Sequence, residues 1–229
     1  MSDSSALDSF LDKWRARWPE WDGAEIFVPA ARRRTTLAWF ALLQEFEDAM
    51  NVAGDPLPAD AKLSWWAQEL GDWAGRRSRH PLGRLLEPQR APWDRLADAL
   101  PALIAAREPA ADPAQAFARL RGYGQAVVAI ENALMDGQGG EAAVQAVIAQ
   151  TLAARAGSQA GAALWNEAGA SVPVALLRQW PARFAGGRER RLWSALARLR
   201  LQRQAGHGGP APLASPLRRL FVAWRAARG

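Results

Sequence analysis

The chain has 229 residues, 49% of them hydrophobic, and a formal charge of +6 at neutral pH, which is enough apolar material for one sizeable core. With no cysteine and only two histidines, His80 and His207, it excludes disulfides, thiolate metal sites, a cysteine nucleophile and a multi-histidine metal site. No apolar run approaches the roughly 20 residues that span a bilayer, and the acidic opening MSDSSALDSF lacks the basic and apolar segments of a secretory signal, so a cytoplasmic protein is expected.

Ala, Leu, Arg, Glu and Gln dominate, and no segment alternates apolar and polar residues with period two, so the signal is helical throughout. A first helix is predicted over 4–18, where Leu7, Phe10, Leu11, Trp14 and Trp18 recur at helical spacing before Pro19. A second is predicted over 30–51, carrying Leu37, Phe40, Leu43, Phe46 and Met50. A third covers 60–78 with Asp60 as its candidate cap, and His80-Pro81 opens a short helix ending near Pro88. Further helices are predicted at 91–107, 113–136, 140–157, 159–169, 173–185, 188–204 and 214–227, separated by Gly-, Pro- and Asx-rich breaks too short to be domain linkers. Residues 1–229 thus read as one all-α domain of about ten helices.

The stretch AKLSWWAQELGDWAGRRSRHPL holds three tryptophans close together. At about 100° per residue, Leu63, Trp66, Leu70 and Trp73 fall on one inward stripe, and Trp65 points away from it. The arginines are dispersed along the helices, with no helix-turn-helix, RNP or zinc-finger pattern, which disfavours nucleic acid as a partner. No G-x-S-x-G, P-loop lysine or dinucleotide fingerprint occurs.

Taken in order, FVPAARRRTTLAWFALLQEFEDAMN, KLSWWAQEL and HPLGRLL resemble the opening third of the squalene and phytoene synthase family. RGYGQAVVAIENALM is similar to that family's tyrosine helix, SVPVALLRQW to its Leu-Pro segment, and SPLRRLFVAWRAARG to its closing helix. The resemblance runs in patches across residues 25–229 and implies the all-α isoprenoid synthase fold, with helices around a central cavity. Working members join two prenyl diphosphates head to head, holding Mg²⁺-diphosphate between two Asp-x-x-x-Asp motifs on facing helices. The diphosphate leaving group needs that neutralisation, and carboxylates at i and i+4 offer hard oxygens from one helix face.

The carboxylates depart from that pattern. At the first motif stand Glu45, Glu47 and Asp48, with no acidic i, i+4 pair; between Gln145 and Gly169, where the second belongs, the only carboxylate is Glu167. Asp8 with Asp12 and Asp94 with Asp98 have the right spacing, but each pair sits opposite an apolar stripe, on a face expected to be solvated. Glu45, Glu47 and Asp48 are the candidate catalytic residues, against the alternative of a charged face paired with arginines. Arg32, Arg33, Trp66, Tyr123, Glu131 and Asn132 are the candidate ligand-binding residues, and Arg34 extends the same basic run. A buried, satisfied hydroxyl is the plainer account of Tyr123, and a helix cap that of His80.

The expected function is accordingly that of a degenerate squalene/phytoene synthase-like protein without metal or other cofactor, binding an isoprenoid, another lipid or a partner protein. An active prenyltransferase with an atypical Mg²⁺ site and a helical scaffold with a filled cavity are the alternatives. The C-terminal stripe Leu217, Leu220, Phe221 and Trp224, with arginines around it, fits either core packing or peripheral contact with the inner face of a membrane.

Overall fold

Prolines and glycines set most of the boundaries between the helices. The computed structural model describes residues 3–135, 137–158, 163–166, 171–207 and 211–229. Helix α1 (Asp3–Arg17) stops before Trp18, whose φ of −122° and ψ of 62° leave the helical region, as expected ahead of Pro19. Three 3₁₀ turns between Pro19 and Arg32 lead into α2 (Arg33–Met50). Helix α3 (Leu57–Ala74) begins earlier than predicted, with Pro58 in its first turn and the Leu57 N–H donating to Asp55 rather than to Asp60. Asp60 instead pairs with Arg107.

Helix α4 (Gly83–Leu86) follows the His-Pro turn. The helix predicted over 91–107 is two, α5 (Trp93–Ala99) and α6 (Pro101–Ala105), because Pro101 has no N–H to continue the ladder and starts a new first turn. The helix predicted over 113–136 is likewise divided at Leu120 into α7 (Pro113–Arg119) and α8 (Arg121–Leu134). Then come α9 (Glu141–Ala156), α10 (Val172–Gln179), α11 (Arg188–His207) and α12 (Pro216–Arg228). Helix α10 ends early because Trp180 is extended at ψ 131° ahead of Pro181. Of the helix predicted over 159–169 only 163–166 are described, and these are not helical: Leu164 and Asn166 exchange backbone hydrogen bonds with Ala110 at 2.9 Å instead of continuing a helical ladder. Among the described residues the only β-type pairing is an isolated bridge between Ala110 and Trp165, so the protein is all-α.

Helix α2 is the axis of the packing: α1, α3, α4, α6 and α9 all lie against it, and every residue from Thr36 to Met50 except Asp48 is buried. Helix α8 lies between α5 and α9, while α11 carries α10 on one side and α12 on the other. Gly124 lets α8 approach α9 closely; a Cβ there would stand 3.0 Å from Ile148 and 3.1 Å from Val144. One continuous core runs from Leu7 to Ala226.

Aromatic rings fill much of that core. Trp14 packs edge-on against Trp21 and Trp193 with centroids 5.4 and 5.7 Å apart, and Phe40 lies 4.2 Å from Trp193. Trp66, Trp73 and Trp93 form a second chain of edge contacts at 6.4 and 5.2 Å. Such pairs add to simple burial. Leu63, Trp66, Leu70 and Trp73 are all buried and Trp65 is exposed, so the wheel reading of the tryptophan-rich stretch holds. No described helix is long and apolar enough to cross a membrane.

Candidate functional site

The three carboxylates of α2 have three different environments. Glu45 is buried and takes one lysine on each oxygen, Lys13 and Lys62, both at 2.7 Å. Burial acts to raise its pKa, but hydrogen bonds and charge from the two lysines hold it below the ordinary carboxylate value. Asp48 accepts from Gln44 at 2.8 Å and pairs with Lys13 at 2.9 Å and Arg17 at 3.6 Å. Glu47 is buried with no hydrogen bond or ion pair among the described residues. Burial, reinforced by Asp48, pushes its pKa up to about 8 against the opposing charges of Arg17, Arg190 and Arg200, so its carboxyl is largely protonated at neutral pH.

Glu47 and Asp48 line a cleft of about 530 Å³ between the end of α1 and helices α2, α9 and α11. On α2 and its C-cap the lining repeats at helical spacing as Gln44, Glu47, Asp48 and Asn51; across from it α9 presents Gln150, Ala153 and Ala154, with Gly157 at its C-cap. Helix α11 supplies Ala197, Arg200, Leu201 and Gln204. Both cleft arginines are already engaged. Arg17 pairs with Asp48, and Arg200 grips buried Glu20 at 3.0 and 2.6 Å with its guanidinium 3.9 Å over the Trp18 ring.

This donor set does not fit the Mg²⁺-diphosphate clamp that the family resemblance implies. Glu45 and Asp48 are neutralised by lysine and arginine, and the facing helix offers an amide and two methyl groups where hard anionic oxygens are needed. No group of three metal-ligating side chains occurs among the described residues. Glu167 lies outside them.

Behind the cleft a buried polar cluster is fully matched. Arg190 on α11 donates through Nε to both Glu131 oxygens at 3.0 and 2.9 Å, with a further contact from Nη2. Trp39 Nε1 donates to Glu131 at 2.9 Å, and Arg190 Nη1 donates to Gln150 at 3.1 Å. The guanidinium also lies 4.9 Å from the Trp193 ring and 5.8 Å from Phe40. Gln150 thus stands at the wall between this cluster and the cleft.

The remaining candidates are placed by the same geometry, and none of them lines the cleft. Arg32 pairs with buried Glu189 at 3.1 Å, an electrostatic contact without aligned hydrogen-bond geometry, and Arg33 donates to the Val28 carbonyl at 3.1 Å. Neither points to a diphosphate; each fastens a helix start. Arg34 pairs with Asp8 on the surface. Trp66 is core, its ring 4.5 Å from that of His80. Tyr123 is buried in α8, where burial and then the Glu47 charge push its hydroxyl pKa upward, so it stays protonated. Glu131 belongs to the matched cluster rather than to a cavity. Asn132 clasps the turn after α8, donating to the Gly139 carbonyl at 3.2 Å and accepting from its N–H at 2.7 Å. His80 caps the short turn before α4, its Nδ1 accepting from the Leu82 N–H at 3.2 Å; burial lowers its pKa to about 4. Asp12, Asp94 and Asp98 are exposed and Asp8 is half-buried, as the solvated-face reading expects.

Sequence reasoning missed Arg190, Arg200, Gln150 and Glu69. Glu69, completely buried, accepts from the Trp73 indole, the Arg79 and His80 backbone N–H groups and Arg79 Nε. It thereby ties α3 to the His-Pro turn. A glutamate on the inward stripe of Leu63, Trp66, Leu70 and Trp73 was the available signal. Nothing local distinguishes Arg190 or Arg200 from the other arginines of α11.

No protein-family model, curated protein or solved structure matches the chain.

Proposed function

We propose that the protein is a non-catalytic member of the squalene/phytoene synthase type that has lost Mg²⁺-dependent prenyl transfer and binds an isoprenoid or similar lipid in the cleft between α2 and α9. The observation that carries this reading is the setting of the α2 carboxylates: two are matched by cations, the third is buried with no cation in contact among the described residues, and the facing helix has no acidic pair. A free diphosphate would meet no uncommitted cation in the cleft and would add its charge to that of Asp48. Gln44, Gln150, Gln204 and neutral Glu47 suit an uncharged polar head group, such as an alcohol or a carbonyl, with the chain lying along Val52, Ala153, Ala154 and Leu201.

Mass spectrometry of organic extracts from the purified protein is expected to find a lipid. Ala154→Trp, which fills the cleft from α9, is expected to remove it. Incubation with farnesyl or geranylgeranyl diphosphate and Mg²⁺ is expected to release no diphosphate. Release that disappears in Glu45→Ala and Asp48→Ala would establish the active prenyltransferase instead. The ring-packed interior favours one second reading, a helical assembly factor for a partner protein, which predicts that no lipid is extracted from the native chain.

A further inference from the structure

Residues 190–229 contain nine arginines and no aspartate or glutamate. This segment covers α12 and all of α11 except its first two residues, Arg188 and Glu189. Helix α12 is well anchored: Pro216 opens it, the Arg218 N–H donates to Ser215, and Arg191 donates to the Ala226 and Ala227 carbonyls at 2.8 and 3.2 Å. Its buried side is small, being Ala223 and Ala226. The sequence pattern allows the stripe of Leu217, Leu220, Phe221 and Trp224 to be core, and the fold turns it outward instead. These four side chains are 81%, 40%, 55% and 42% exposed, and Leu213 just before the helix is 49% exposed.

The outward face is ordered by its own contacts. The Phe221 and Trp224 rings stack 5.9 Å apart, and the Arg228 guanidinium lies 4.8 Å over Trp224. Arg218 and Arg225 are exposed beside the stripe. Next to it runs a groove of about 870 Å³ between the segment after α10, α11 and α12, lined by Arg183, Arg198, Arg225 and Arg228 with Phe184 and Trp224, and by no carboxylate side chain. Arg198 Nε is buried there without a hydrogen-bond partner among the described residues.

We infer that the outer face of α12 is a docking surface for an anionic lipid bilayer, with the stripe entering the interfacial region and the arginine groove taking lipid phosphates. Charge selects this occupant. A second copy seated symmetrically on the same face would bring arginine against arginine, with no carboxylate in the segment to pair them. A convex helix face with leucines, two aromatic rings and flanking arginines suits a deformable apolar–polar boundary, and arginine near an anionic leaflet is attracted over about a Debye length. This inference stands independently of what the cleft binds.

The chain has no cysteine, so Leu217→Cys labelled with an environment-sensitive fluorophore reports the face directly. Mixed with phosphatidylcholine vesicles containing one part in three phosphatidylglycerol, the label is expected to shift to the blue and the full chain to sediment with the vesicles. Binding should fall roughly tenfold on pure phosphatidylcholine, and again when salt rises from about 0.1 M to about 0.5 M. The triple variant Leu217→Ser, Phe221→Ser, Trp224→Ser and the double variant Arg225→Glu, Arg228→Glu change exposed positions only. Each is expected to keep the native circular dichroism and lose vesicle binding at least tenfold. Absence of the blue shift, equal binding to neutral vesicles, or full binding by both variants would overturn the inference. So would a concentration-dependent dimer dissolved by the triple variant in a chain that ignores vesicles.

Discussion

Glu131 and Glu47 are both buried, and Gln150 belongs to both their surroundings: it accepts from Arg190, the partner of Glu131, and lines the cleft together with Glu47. Glu131 accepts from a guanidinium in a side-on pair and from an indole N–H, in a space closed by Phe40 and Trp193. Glu47 has arginine charges near it but none in contact, and it borders open volume. A buried carboxylate whose acceptors are all filled specifies how helices pack; one left unmatched beside a cleft is held in its neutral form and remains available to a ligand.

Removing Arg190 has the largest expected effect. Arg190→Ala strands the Glu131 charge in the core and is expected to cost about 3–5 kcal/mol of stability in urea unfolding. Arg190→Met combined with Glu131→Leu should recover much of that loss, because no charge is then left unpaired.

Glu47 should respond in the opposite sense. Its carboxyl ionises near pH 4.5 in the unfolded chain and near pH 8 in the folded one, so the native state holds the proton more tightly. The stability it contributes is complete below about pH 4.5 and is lost as pH rises through about 8. Glu47→Gln is therefore expected to match the native chain at pH 4 and to exceed it by about 1–3 kcal/mol at pH 8, measured as paired unfolding curves across that range. A variant that tracks the native chain at every pH would mean that Glu47 is solvated. The smallest effect belongs to the exposed pair: Asp94→Asn with Asp98→Asn is expected to move stability by less than about 0.5 kcal/mol and to leave lipid extraction unchanged.

Much of the fold was legible because its signals are short-range. Helical spacing puts Leu63, Trp66, Leu70 and Trp73 on the inward stripe and Trp65 off it, and the fold leaves Trp65 exposed. Pro19 marks where α1 stops, but Pro181 ends α10 short of the helix predicted over 173–185, and Pro101 and the turn at Leu120 divide helices that periodicity alone runs together. The site is less legible. Glu45, Glu47 and Asp48 stand together in the sequence, yet their roles diverge because Lys13 reaches both Glu45 and Asp48, Lys62 reaches Glu45, and neither reaches Glu47. Arg32, Arg33 and Asn132 have the chemistry of ligand contacts and spend it on backbone and helix-start partners instead.

An all-α chain, the inward stripe of Leu63, Trp66, Leu70 and Trp73, and the lack of an acidic i, i+4 pair around Glu45 and between Gln145 and Gly169 follow from the sequence alone, since helix propensity, capping and periodicity act within three or four residues. Tertiary structure alone decided which carboxylates are neutralised, that Arg190 belongs to Glu131 across 59 residues, and that α12 buries alanines while turning its leucines and aromatic rings outward. Those outcomes depend on which side chains the fold brings within a few ångströms of one another, where Coulomb attraction and desolvation act.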